Sequence, residues 1–181
     1  MKDLEDSALV ELARKDQAGA FDVLVDRYYK IVYSVAMKMI NDSNDAADIT
    51  QNVFMKVYQN FQQFNPKYKF FSWIYRIAMN EAINYCNRTD RRTEPHHESM
   101  AGEATPESLY HQSELEVNVQ KALMKLKPDY RSVIVLSHFQ GLSYREISET
   151  LSISEKTVKS RLFTSRQELK NILKTDGVID A

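Results

Sequence analysis

The sequence predicts an all-α protein of two small helical domains joined by a flexible linker. Three observations lead there. Apolar residues recur at three- and four-residue steps, no stretch keeps the strict alternation of a half-buried strand, and one internal segment nearly loses its large aliphatics. The chain has 181 residues, 43% of them hydrophobic, and only four glycines, which suits a folded helical protein and excludes disordered and collagen-like ones.

The first stripe is Phe21, Leu24, Val25, Tyr28, Val32, Val35, Ala36 and Met39, an amphipathic helix. Asn41-Asp42-Ser43-Asn44-Asp45 breaks it and supplies N-cap residues for the next helix; Asp45 is the cap expected. The second helix follows Ala46, Ile49, Val53, Phe54, Val57 and Phe61, and Pro66 lies in the loop beyond. A third carries Trp73, Ile74, Ile77, Ala78, Ala82 and Tyr85.

Residues 93–113 hold two of the four prolines, three of the four histidines and four glutamates with no Lys or Arg. Such a composition buries too little apolar area to offset its ordering entropy. It divides the chain into domains 1–92 and 114–181. His96 and His97 carry no ligand-spaced partners and are read as ordinary linker residues, so no metal and no cofactor is expected. In the second domain Leu115, Val119, Ala122, Leu123 and Leu126 form a stripe ended by Pro128. Val133–Phe139 starts a further helix closed at Gly141, a natural residue beyond a helix C-terminus.

The segment after Gly141 carries the clearest motif. Ser143 and Glu146 have the spacing of a capping box, Ile147 and Leu151 continue a buried face, and Ser152-Ile153-Ser154 makes a tight break. Ser154 then caps a helix with Val158, Leu162 and Leu169 inward. A short helix, a three- or four-residue turn and a longer helix constitute a helix-turn-helix. The outward face of the second helix carries Lys156, Thr157, Lys159, Ser160, Arg161, Phe163, Thr164 and Arg166, chemistry suited to guanine edges, thymine methyls and phosphates. A plain three-helix bundle with a basic surface is the alternative; the placement of the bases on the groove-facing helix favours DNA.

Net charge is −1, but it is unevenly spread. Residues 67–92 hold six bases against Glu81 and Asp90, and residues 156–174 hold six against Glu168 alone. A polyanion meets two basic segments. The first of them, Lys67-Tyr68-Lys69-Phe70-Phe71-Ser72-Trp73-Ile74-Tyr75-Arg76, has five aromatics in the eight positions 68–75. Trp73, Ile74 and Ile77 are the core residues chosen; the other aromatics, left exposed beside bases, would suit unstacked single-stranded nucleic acid. Asn80 and Asn84 lie one turn apart, with amides able to read a base edge. A generously aromatic core is the competing account.

In this order the segments resemble the extracytoplasmic-function (ECF) RNA polymerase sigma factors of the sigma-70 type. Asp45-Ala46-Ala47-Asp48-Ile49-Thr50-Gln51-Asn52-Val53-Phe54 is similar to the region-two helix that grips RNA polymerase. Phe71–Asn80 is similar to the promoter-melting segment, and Gly141–Ile147 with Thr157–Leu162 to the region-four signature. The resemblance implies that the first domain binds the clamp helices of the polymerase β′ subunit through Asp45, Asp48, Gln51, Asn52 and Phe54. It implies that Phe64, Lys67, Tyr68, Lys69, Phe70, Arg76, Asn80 and Asn84 capture the −10 element, with bases flipped out of the stack. The Ser154 helix would read the −35 element, with Arg131 touching phosphate. The β flap and an anti-sigma factor are further partners so implied. Ala47 and Asn52 stand where the family often has Glu, Lys156 where glycine is common and Thr164 where arginine is common, so docking strength and −35 preference are retuned.

Other classes fit less well. A stand-alone helix-turn-helix regulator with a helical sensor domain would need an apolar ligand cavity. An enzyme would need more than Asp45 and Asp48 on one helix face, without a nearby histidine or a phosphate-binding glycine loop. No membrane insertion and no small-molecule substrate is expected. One cysteine, Cys86, an acidic N-terminus and the lack of a secretory signal point to the cytoplasm.

Overall fold

The computed structural model describes residues 1–15, 17–92 and 113–180, without the side chains of residues 90–92. Most of the segment read as a linker, and with it His96 and His97, lies outside the described residues. Among the described residues there are eight α-helices and no strand: α1 (Asp6–Arg14), α2 (Ala20–Ile40), α3 (Ser43–Asn60), α4 (Phe70–Arg92), α5 (Glu114–Met124), α6 (Pro128–Ile134), α7 (Tyr144–Leu151) and α8 (Glu155–Thr175).

Helices α2, α3 and α4 form a three-helix core closed at one end by α1. Of the stripe on α2, Leu24, Tyr28, Val32, Val35, Ala36 and Met39 are buried as their spacing requires, while Phe21 and Val25 are half-buried at its edge. Asn41 ends α2 in the left-handed region at φ 60°, which asparagine tolerates better than most residues. The cap of α3 is Asp42, not Asp45: its carboxylate accepts from the amides of Asn44 and Asp45. Asp45 instead accepts the Tyr85 hydroxyl, tying the start of α3 to α4.

Helix α1 was not evident in the periodicity, because only Leu9 and Val10 are buried in it. Short as it is, it fixes the loop between α3 and α4. Arg14 donates to the carbonyl of Phe64, and Asp6 accepts from both Arg27 and the Tyr28 hydroxyl. Burial first, and then that acidic neighbour, push the Tyr28 hydroxyl far above its ordinary pKa, so it stays a donor.

In the second domain Ser113 belongs to structure, since it forms a capping box with Glu116 at the head of α5. Pro128 opens α6 in its first turn, where a missing amide hydrogen costs nothing. The end of that helix widens into a π turn over Val135–Phe139, and Gly141 follows at φ +67°. The capping box of Ser143 and Glu146 forms as its spacing requires, holding Glu146 below the usual carboxylate range. Ser152, at φ 55°, turns the chain from α7 into α8.

The two halves are packed together. Helix α4 lies against α7 and α6, and α2 against α5. Tyr75 donates to Gln140 Oε1 at 2.7 Å, Arg76 donates to the carbonyl of Glu149, and Lys38 sits 4.6 Å from the Phe139 ring centre. Burial of the Tyr75 hydroxyl raises its pKa to about 12.

Candidate nucleic-acid and partner interfaces

Helix α8 is set out for groove contact by its own cap. Ser154 accepts the amide of Thr157 at 3.1 Å, and Val158, Leu162 and Ser165 turn inward. Three- and four-residue spacing then leaves Lys156, Lys159, Ser160, Phe163 and Arg166 on one exposed stripe, with Phe163 67% exposed. Thr157 and Thr164 are half-buried at its flank. Arg166 also donates to His138 at 3.2 Å.

Arg161 departs from this stripe. Its guanidinium turns to Asp129 on α6 at 3.0 Å, and its side chain is only 28% exposed. Arg131 departs further, being 7% exposed, and the phosphate contact expected of it is not available in this arrangement. It donates to the carbonyls of Leu123 (2.9 Å), Met124 (2.8 Å) and Leu126 (2.9 Å), and across the domain seam to that of Met39. A guanidinium among the orphan carbonyls at the ends of α5 and α2 meets both their hydrogen-bonding need and their partial negative charge.

The aromatic-basic segment divides in the same way. Phe64 and Phe70, expected at the nucleic-acid surface, are 5% and 4% exposed. Edge-on and tilted contacts join them to Phe61 and Trp73 at 5.1–6.2 Å. They form the floor under the loop, and the core reading of these aromatics is the correct one. Tyr75 is buried too, whereas Trp73 and Ile77, chosen for the core, are only half-buried. Lys67, Tyr68 and Lys69 remain exposed. Asn65 shapes their turn, its side chain accepting the Lys67 amide and its carbonyl the Tyr68 amide, both at 3.0 Å. The loop lines a pocket of about 410 Å³ together with Glu5, Asp6 and Ser7 of the α1 start. Asn80 and Asn84 are exposed on α4, and Arg76 is exposed beside α7.

A third surface lies between α2 and α3. Asp48, Gln51 and Phe54 line a shallow groove of about 560 Å³ together with Phe21, Tyr29 and Tyr58. Asp45, engaged by Tyr85, and the exposed Asn52 are not part of its lining. Of this groove's aromatics, Phe54 was expected at the polymerase surface and Phe21 in the buried stripe of α2, while Tyr29 and Tyr58 were missed. The signal for Tyr29 was the four-residue step Phe21-Val25-Tyr29, which splits Phe21 and Val25 from the stripe they were read into. Glu5 and Ser7 left no such signal, because α1 reaches the loop only through tertiary packing.

Residues 24–92 match Sigma-70 region 2 and residues 116–169 match Sigma-70, region 4. The ECF RNA polymerase sigma-E factor of Haemophilus influenzae is 34% identical over 93% of this chain and 95% of its own length. The chain belongs to the ECF RNA polymerase sigma factors. The sigma-E factor of Escherichia coli is likewise 34% identical, over 93% of this chain and 94% of its own. Among solved structures, CnrH in complex with the cytosolic domain of CnrY matches with a TM-score of 0.73 and 26% identity, covering 94% of this chain and 98% of that one. As a sigma factor the chain directs transcription initiation, and a stand-alone regulator with a sensor domain is not favoured. No described helix is long and apolar enough to cross a membrane.

Proposed function

We propose that this sigma factor docks on RNA polymerase through the α2–α3 groove, reads the −35 element with the exposed stripe of α8, and takes the −10 element at the Lys67–Lys69 loop and the Asn80–Asn84 face of α4. In this reading residues 1–92 and 114–181 are its two working units, and it acts in the cytoplasm without catalysis or cofactor. The observation that carries the reading is α8: a Ser154-capped helix with Lys156, Lys159, Ser160, Phe163 and Arg166 on one open stripe. The groove adds an apolar surface around the carboxylate of Asp48, suited to basic-apolar partner helices.

Promoter reading requires the halves to part. Their names place the two elements about 25 base pairs apart, roughly 85 Å at 3.4 Å per base pair, whereas α4 and α7 touch. Docking on polymerase would hold the halves at that separation. An anti-sigma factor could as readily hold them together; CnrH, the neighbour described above, is bound to the cytosolic domain of CnrY.

Run-off transcription with core polymerase on a pool of genomic fragments tests the function. The expected result is a set of promoter-dependent transcripts that appear only when the protein is added. A pool giving the same transcripts with and without it refutes the reading.

A further inference from the structure

His138 is the one histidine outside residues 93–113 and the only one among the described residues. It stands exposed on the π turn that ends α6, beside the reading helix but not on it. Its Nε2 accepts the Nε–H of Arg166, the last base of the α8 stripe, at 3.2 Å. A ring nitrogen that accepts belongs to a neutral imidazole, with the proton on Nδ1. The bond uses one edge of the guanidinium. Neither Nη nitrogen of Arg166 bonds to a described residue, so the fork that suits a phosphate stays open to solvent next to the imidazole.

The charges around the turn leave His138 without a carboxylate partner among the described residues. From α8 it faces Arg166. From α2 comes Lys38, 4.6 Å from the ring centre of the adjacent Phe139. On α7 the charged side chains have partners of their own, Arg145 with Glu149 at 3.2 Å and Glu146 with the Ser143 cap. On α6 Asp129 pairs with Arg161, and Arg131 is buried among helix-end carbonyls. From α4, Tyr75 reaches the turn at Gln140. A phosphodiester brought to Arg166 supplies the missing anion, and an anion favours the charged imidazole.

We propose that His138 and Arg166 form a phosphate-binding pair at the edge of the −35 surface, in which His138 takes up a proton from solvent as the DNA backbone is bound. The inference rests on the reading of α8 as the −35 helix. On binding, the hydrogen bond from Arg166 Nε to His138 Nε2 breaks and an N–H bond forms at that Nε2. Both side chains then donate to phosphodiester oxygens. A group that holds its proton more tightly in the complex than in the free protein makes binding tighter as pH falls. The pair adds affinity that is blind to base identity and greater in acid.

The test is a titration of the full-length protein onto a fluorescent duplex spanning the −35 half of a promoter found by run-off transcription. It is run at constant ionic strength from about pH 8 to about pH 6, where imidazoles exchange their proton. Wild-type affinity is expected to rise about fivefold on acidification, inside the roughly tenfold per pH unit that one proton allows. The slope of affinity against salt should steepen by about one, for one more cation on the backbone. His138→Gln, whose amide oxygen accepts from Arg166 but does not titrate, should match the wild type at the alkaline end and lose both changes. Lys159→Ala should bind more weakly at every pH while keeping the acid response. Because His138 is exposed and its bond is to Arg166, His138→Gln should melt with the wild type, which separates loss of proton linkage from loss of fold. An acid response that is equal in wild type and His138→Gln, or absent from the wild type, overturns the inference alone. A duplex that wild type and Lys159→Ala bind equally at every pH overturns the −35 reading as well.

Discussion

Two basic segments of almost equal charge were folded into two quite different surfaces. On α8 the inward residues are Val158, Leu162 and Ser165, and regular spacing leaves the bases and Phe163 on a free stripe. Between Lys67 and Arg76, Phe70 and Tyr75 have gone into the core, Phe71 and Trp73 are half-buried and Tyr68 stays exposed, while the C-terminal end leans on the other domain through Tyr75 and Arg76. The difference teaches that periodicity, rather than local density of aromatics or charge, tells which side chains remain available. A residue type suited to nucleic acid is equally suited to a core or a helix terminus, and geometry chooses.

The contrast is broken most severely at Arg131. If it is a structural residue, Arg131→Met strands several buried carbonyls, at about 1–3 kcal/mol for each unsatisfied group. We expect a loss of about 3 kcal/mol or more in denaturant unfolding. A variant of normal stability with weakened DNA binding would return Arg131 to the nucleic-acid surface.

Within α8 the stripe can be tested against its flank. Lys159→Ala should weaken binding to a −35 duplex and reduce the slope of affinity against salt by about one. Arg161→Ala, which the sequence alone would make a guanine reader, should change that affinity less than twofold. It should cost at most about 1 kcal/mol of stability, the range of a partly exposed ion pair. Equal losses of affinity in the two variants would erase the distinction drawn here.

The seam itself should respond more weakly. Tyr75→Phe removes one hydrogen bond to Gln140, worth about 1 kcal/mol, and should shift the distribution of distances between labels on the two halves outward in single-molecule energy transfer. An unchanged distribution would mean that this bond does not hold the halves together.

The smallest effect is set by acid. Glu146 is held below its unfolded pKa first by the Ser143 amide, then by the Ser143 hydroxyl, with a minor contribution from Lys69 at 3.8 Å. Its contribution is therefore complete above the unfolded carboxylate pKa and disappears as pH falls through the lower folded value. Glu146→Gln should lose that acid-range sensitivity in thermal melts, and a pH profile matching the wild type would show that the cap carries none of it.

Much of this architecture could be read from the chain, for reasons visible in particular residues. Ser143 and Glu146, and Ser154 three residues before Thr157, are local devices whose geometry is fixed by spacing. Both formed as written. The stripe on α2 likewise requires nothing but a helix. What escaped the reading was non-local. Asp45, a cap of α3 by position alone, is taken by Tyr85, forty residues away. Arg131 acquires its meaning only when α5 and α2 both end beside it. The acidic lining of the pocket beneath the Lys67–Lys69 loop depends on α1 folding back to the loop, which no pattern within Glu5-Asp6-Ser7 announces.

Gln120 bears on how firmly the halves are joined. Its amide nitrogen reaches the carbonyls of Met37 and Lys38 only at 3.4 and 3.3 Å, and its buried oxygen has no hydrogen-bond partner among the described residues. Beside the well-formed bonds of Tyr75 and Arg131, this contact leaves one part of the seam imperfectly closed, which suits a two-state equilibrium better than a permanent closure. Inverting a ratio of 1:99 requires about 5.5 kcal/mol of differential affinity, within reach of a large protein partner. On the proposed reading, the free chain binds promoter DNA with its intrinsic affinity scaled by the fraction of molecules that stand open, and polymerase would strengthen binding by removing that factor without adding a single contact to the DNA.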